Sequence, residues 1–273
     1  MLVDKQFHDI PAPLDGGRPI RVFVISPVVP NYPDAKFPGV VVFSEIYQVT
    51  GPVERFAGAI ASQGYVVACP STYHEFEGPE AIPYDVEGTD RGNKYKVEKS
   101  IAGYNEVSTA PRIDLYSSIS SQDAKLSIDL LMSLKNCNGR IAATGMCLGG
   151  HLAFRAAFDP RILASVCFFA TDIHSATLGK EGDDSLAKVR KGDLTGKGEL
   201  VMVFGKQDTH VPRAGRDLIR STSRTPFLEV QAQHAFVRDE QSKGRWDAAL
   251  TRSMFTFMME VFERTVGRTW VPA

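Results

Sequence analysis

Seven short apolar runs punctuate the chain: RVFVIS (21–26), GVVVFSE (39–45), YVVACP (65–70), RIAATG (140–145), LASVCFFA (163–170), ELVMVFG (199–205) and FLEVQ (227–231). Turn residues bound them, and most are apolar throughout rather than alternating, as in strands covered on both faces of a mostly parallel sheet. Between them, residues 52–64, 121–135, 148–158, 212–223 and 245–265 carry apolar side chains at helical spacing. Ser121 suits an N-cap, and Pro52 and Pro212 suit first helical turns. Strand and helix alternate, so the pattern predicts an α/β fold: a mostly parallel, doubly wound sheet flanked by helices. With no internal repeat, low-complexity tract or linker, residues 1–273 are expected to form a single domain.

Two segments break the rhythm. Residues 74–118 are polar, dotted with Tyr and Phe, and much longer than a usual connection. Loops of that length are functional or disordered, and the aromatic content predicts an ordered cap over a site. Residues 174–199 read as a solvated insertion with a short helix at DSLAKVRKG (184–192).

Composition narrows the function. The net charge is −1, with 43% hydrophobic and 23% charged residues, so neither nucleic acid nor an anionic membrane surface is an expected partner. The N-terminus lacks the basic and apolar regions of a secretory signal, and no apolar run approaches a membrane span, so a cytoplasmic location is expected. Cys69, Cys137, Cys147 and Cys167 are too few for a disulfide framework and show no C-x-x-C spacing, so they read as reduced thiols.

Cys147 stands out. Gly145-Met146-Cys147-Leu148-Gly149-Gly150 lies between a predicted strand and a predicted helix, the setting of a nucleophile elbow with cysteine in place of serine. Flanking glycines let neighbouring backbone pass where a side chain could not, and the helix N-terminus is expected to lower the thiol pKa. In this architecture the acid and then the histidine follow the nucleophile, each on a loop after a later strand. Asp208 follows the run 199–205 and His234 follows 227–231, so they are the expected acid and base; Asp172 is the second choice for the acid. His210 lies too near Asp208 to be its easy partner, His151 falls inside the next helix, and His8 precedes the sheet core. His74 and His174 end strands and stay open by position. Glu45 closes an apolar strand at the same sheet edge; it is either an exposed strand end or a carboxylate that bonds the thiol. The backbone N–H groups of Ile46 and Leu148 are where an oxyanion hole should lie.

These segments together resemble the dienelactone hydrolase family (carboxymethylenebutenolidases), a cysteine-nucleophile branch of the α/β hydrolases. The resemblance rests on VVVFSEIYQVTGPVERFAGAIASQGYVVACPSTY, ATGMCLGGHLAF, GKQDTHVP and HAFVRDE, in that order, and spans the chain from about Phe37 to the final helix. It implies Cys147 as nucleophile, Asp208 as acid, His234 as base, Glu45 as the carboxylate facing the resting thiol, and Ile46 and Leu148 as oxyanion donors. It further implies that Arg238, four residues beyond His234, grips a substrate carboxylate. A second such cation falls within 85–96, with Arg91 first and Lys94 behind it. The family's serine after the histidine is Ala235 here.

The expected activity is hydrolysis of a small ester or lactone through an acyl thioester, with an anionic dienelactone opening to maleylacetate as the leading substrate. No cofactor or metal is called for, because the triad supplies both the nucleophile and proton transfer. A general carboxylesterase or thioesterase is the alternative within enzymes, and a non-catalytic small-molecule receptor on a retained fold is the alternative outside them.

Overall fold

The computed structural model describes residues 1–11, 18–104 and 123–267. Ser121 and the part of the 74–118 insertion from 105 onward lie outside the described residues.

One eight-stranded sheet organises the molecule. Its strands are β1 (Leu2–Ile10), β2 (Ile20–Val28), β3 (Phe37–Phe43), β4 (Val66–Pro70), β5 (Cys137–Met146), β6 (Ile162–Phe168), β7 (Glu199–Gly205) and β8 (Phe227–Val230), in spatial order β1-β2-β4-β3-β5-β6-β7-β8. From β4 to β8 every pairing is parallel; β1 with β2 and β2 with β4 are antiparallel. The seven expected strands are all present, as is the mostly parallel α/β fold. The sequence reading missed β1. That strand lies at the sheet edge with most of its side chains at least partly exposed, so LVDKQFHDI carries little of the apolar signal that marks a buried strand.

The helices are α1 (Gly51–Ala61), α2 (Val86–Glu98), α3 (Ile101–Tyr104), α4 (Asp123–Ser133), α5 (Leu148–Ala156), α6 (Ser185–Lys191), α7 (Arg213–Ser223) and α8 (Ala248–Phe262). Pro52 opens α1 as expected, whereas Pro212 is the N-cap of α7, in extended backbone just outside the helix. The core fills both faces of the sheet. Val41, Phe43, Ala143 and Cys167 belong to one buried cluster, and their chain neighbours Val40, Val42, Ala142 and Val166 to the other, which is why these runs do not alternate in sequence.

Both insertions differ in detail from expectation. The first contributes α2 to the cavity wall, with the short α3 following it. The second forms its expected helix but is not simply solvated: Asp183 is buried and accepts from Arg155 Nη1 at 2.7 Å, with His151 Nε2 at 3.1 Å. Burial raises the Asp183 carboxyl pKa, but His151 and Arg155 outweigh it and hold the group well below the carboxylate range.

Candidate active site

β5 ends at a corner where Cys147 has φ 58° and ψ −119°, a conformation that costs a non-glycine residue energy. Its surroundings over-determine it. The Cys147 N–H donates to Phe168 O at 3.1 Å, and its own carbonyl accepts the His151 and Thr171 N–H groups. Glycine is obligatory beside it: a Cβ on Gly145 would stand 2.2 Å from Gly149 O, and one on Gly149 would stand 2.1 Å from Phe43 O. Gln48, Phe169, Asp172 and Ala235 also have positive φ, so strain gathers at this edge of the sheet.

The loops after β7 and β8 bring Asp208 and His234 together. His234 Nδ1 lies 2.8 Å from Asp208 Oδ2, and both side chains are buried. Asp208 Oδ1 accepts the backbone N–H of His210 at 2.8 Å and of Val211 at 3.4 Å. Burial raises the Asp208 pKa, yet the bonds from His210 and His234 overcome it and keep the group an anion far into acid. Burial lowers the His234 pKa against the pull of Asp208, leaving a neutral imidazole able to take a proton.

Cys147 departs from expectation. Its thiol pKa is pushed up to about 12, first by burial and then by the negative charges of Glu45 and Asp172; Lys96 and the Leu148 N–H oppose them. Desolvation wins over the helix terminus, so the resting sulfur is a thiol and not a thiolate.

Glu45 lies in the loop beyond β3, not at its end, and is only 2% exposed. Its carboxylate accepts from Arg238 Nη1 at 3.2 and 3.3 Å and from the Tyr84 hydroxyl at 3.4 Å. Arg238 therefore rests against a protein carboxylate, with Nη2 on Gln241 O at 3.0 Å and its guanidinium over the Tyr84 ring.

Glu45, Ile46, Cys147, His234 and Arg238 line one cavity of about 130 Å³. The Leu148 N–H points at the sulfur, where an oxyanion donor is needed. Arg91 does not line the cavity; its Nε lies 3.4 Å from Glu77. Lys94 faces Glu98 at 3.9 Å, on an exposed part of α2. The α2 residues that reach the cavity are Thr89, Asn93 and Lys96, whose spacing of four and three is one helical face; Arg91 falls off that face. Lys96 Nζ pairs with Asp172 at 3.0 and 3.2 Å. That pairing occupies Asp172, the second-choice acid, while His234 takes Asp208.

Sequence reasoning also missed His210 and Arg245, both in the cavity wall. Among the described residues the Arg245 side chain has no hydrogen-bond or ion-pair partner. The spacing within α2 could have pointed to Lys96 had 86–98 been read as a helix, whereas nothing in SKGRW singles out Arg245. The other histidines serve elsewhere: His74 bonds Asp123 at 3.2 Å, His151 bonds Ser185 at 3.1 Å, His174 packs on Gly215 and His8 lies in β1. Asp208, His210 and His234 are, among the described residues, the one group whose ligand atoms cluster closely enough for a metal ion.

A sheet of this order, a strained residue at a strand–helix corner, and an Asp–His pair on two later loops define an α/β hydrolase. The chain belongs to the dienelactone hydrolase family, whose model matches residues 20–266. It is 52% identical to a Saccharomyces cerevisiae protein named provisionally as a carboxymethylenebutenolidase, over 97% of this chain and 93% of that one. It is also 25% identical to the carboxymethylenebutenolidase of Pseudomonas putida, over 76% of this chain and 78% of that one. In fold it is similar to a solved Klebsiella pneumoniae structure titled provisionally as a dienelactone hydrolase, with TM-score 0.71, 18% identity, and coverage of 97% of this chain and 100% of that one. The chain is a hydrolase of ester or lactone bonds. Among the described residues no helix is long and apolar enough to cross a membrane.

Proposed function

We propose that the protein hydrolyses a small anionic lactone, with a dienelactone opening to maleylacetate as the leading substrate, through a Cys147–His234–Asp208 triad. The observation that carries this reading is the strained Cys147 sharing one small cavity with a His234 oriented by Asp208 at 2.8 Å. The cavity is well below the roughly 300–1,000 Å³ of sites for drug-sized ligands, which favours a compact substrate. The Cys147 thiol passes its proton to His234 as the sulfur attacks the lactone carbonyl, and His234 hands that proton to the ring oxygen as it leaves. The N–H groups of Leu148 and Ile46 hold the oxyanion, and collapse of the intermediate expels the ring oxygen and leaves an acyl thioester. Water then attacks the thioester as His234 takes its proton, regenerating Cys147 and releasing the acid. Asp208 keeps the imidazole in the tautomer this requires. Arg245 meets the substrate anion, because it is the arginine in the wall that no carboxylate among the described residues neutralises; Arg238 and Lys96 reinforce it once their partners yield.

The test is steady-state hydrolysis of cis- and trans-dienelactone beside p-nitrophenyl acetate. Cys147→Ala is expected to lower kcat by about 10⁴-fold or more on every substrate the wild type uses, and undiminished turnover would remove Cys147 from the reaction. Arg245→Gln is expected to raise KM for the lactones about tenfold, the loss of one charge-assisted hydrogen bond, and to leave the neutral ester within twofold. Equal effects on both would mean that Arg245 does not read the anion. Turnover of the neutral ester alone would keep the triad and point to a general esterase.

A further inference from the structure

We propose that Asp208, His210 and His234 form a binding site for a divalent cation of the zinc type, and that its occupation reversibly blocks the enzyme. The donors are one carboxylate and two imidazoles, the nitrogen and oxygen set that zinc prefers. One ligand atom from each of the three residues lies within 4.8 Å of the others. His210 is unlike the other histidines near the sheet edge. It stacks on His234 with ring centroids 4.2 Å apart and planes 28° apart, its Nδ1 lies 3.5 Å from Asp208 Oδ1, and its side chain is 50% exposed. Asp208 thus faces His234 with one oxygen and His210 with the other, and the exposed ring gives an ion a way in from solvent.

The supports for a metal ligand are already in place. Asp208 Oδ1 is oriented by the His210 and Val211 N–H groups, the kind of outer-shell bonding that fixes a coordinating carboxylate. Cys147 and His210 line the same cavity, so a fourth position opens toward the sulfur or a water molecule. The ion takes the Nδ1 position of His234 that faces Asp208, and the imidazole proton moves from Nδ1 to Nε2. With Nδ1 held by the metal and Nε2 protonated, His234 no longer accepts a proton from water, and hydrolysis stops. His210 has no step in the hydrolysis proposed above; in this site it supplies the third ligand.

The experiment is calorimetric titration of zinc sulfate into the full chain as wild type, Cys147→Ala, His210→Phe and His210→Gln, beside p-nitrophenyl acetate turnover in zinc with and without EDTA. His210→Phe retains a ring to stack on His234, and His210→Gln guards against a packing effect of the larger side chain. The expected result is one saturable site in the wild type and in Cys147→Ala, weakened about tenfold or more in both His210 variants. Turnover should fall over the same zinc range and recover with EDTA. Absence of saturable binding, equal affinity in the His210 variants, or affinity that follows Cys147 and not His210 would overturn the site. Because calorimetry needs no substrate, a wild type that binds zinc but opens no lactone would defeat the proposed substrate and leave this site standing.

Discussion

Two helices bracket Cys147, and they are built in opposite ways. Helix α5 begins just after Cys147 and is buried along its whole length, wedged against β3, β5 and β6 with glycines where backbone must pass. Helix α2 roofs the same cavity, yet only Gly88 and Gly92 are buried in it. It is held by polar ties and one aromatic anchor: the Tyr73 hydroxyl donates to Gly92 O at 3.1 Å, Lys96 pairs with Asp172, Lys99 just past its end is buried on Thr72 O, Glu75 and Asp123 at 2.6–2.8 Å, and Tyr95 stacks on Phe76 with centroids 4.6 Å apart. The floor of the site is fixed by continuous packing, and the roof mainly by polar contacts and a single aromatic stack. A strained corner needs the first to hold its backbone, whereas a cavity wall can use charges that exchange partners.

That contrast can be broken at either helix. Gly149→Ala puts a Cβ 2.1 Å from Phe43 O in the packed floor, so a stability loss toward the upper end of the roughly 1–3 kcal/mol typical of overpacking is expected by urea denaturation. Gly92→Ala puts a Cβ 2.3 Å from Ile46 O, so α2 and the loop carrying Ile46 must move apart. Its stability cost should be smaller than that of Gly149→Ala, because α2 is far less buried than α5, while turnover falls by up to about 10²-fold because the loop carrying Ile46 is displaced. If both variants lose stability alike, the roof is packed as firmly as the floor.

A finer test uses the charges around the sulfur. Glu45 raises the Cys147 pKa and Lys96 lowers it, and a thiol near pKa 12 gains thiolate as pH rises toward that value. Glu45→Gln removes a negative charge, so the pKa falls and alkylation of Cys147 by iodoacetamide at pH 8 should quicken severalfold. Lys96→Met removes a positive charge and should slow it. Rates for the two variants that moved the same way would show that desolvation alone sets the thiol.

The chain by itself determined a good deal. The apolar runs placed seven strands because burial on both sheet faces leaves an unbroken hydrophobic signal, and the Gly-x-Cys-x-Gly-Gly corner and later loops picked out Cys147, Asp208 and His234. Strand β1 escaped, since an exposed edge strand needs backbone pairing more than apolar side chains. Only the tertiary structure decided which charges meet. Arg238 rests on Glu45 across 193 residues of chain, Lys96 on Asp172 across 76, and Arg245 on nothing among the described residues. The thiol pKa belongs to that second kind of information. A helix terminus can be read from local sequence, but desolvation and neighbouring carboxylates depend on what the fold packs around the sulfur, and here they outweigh it.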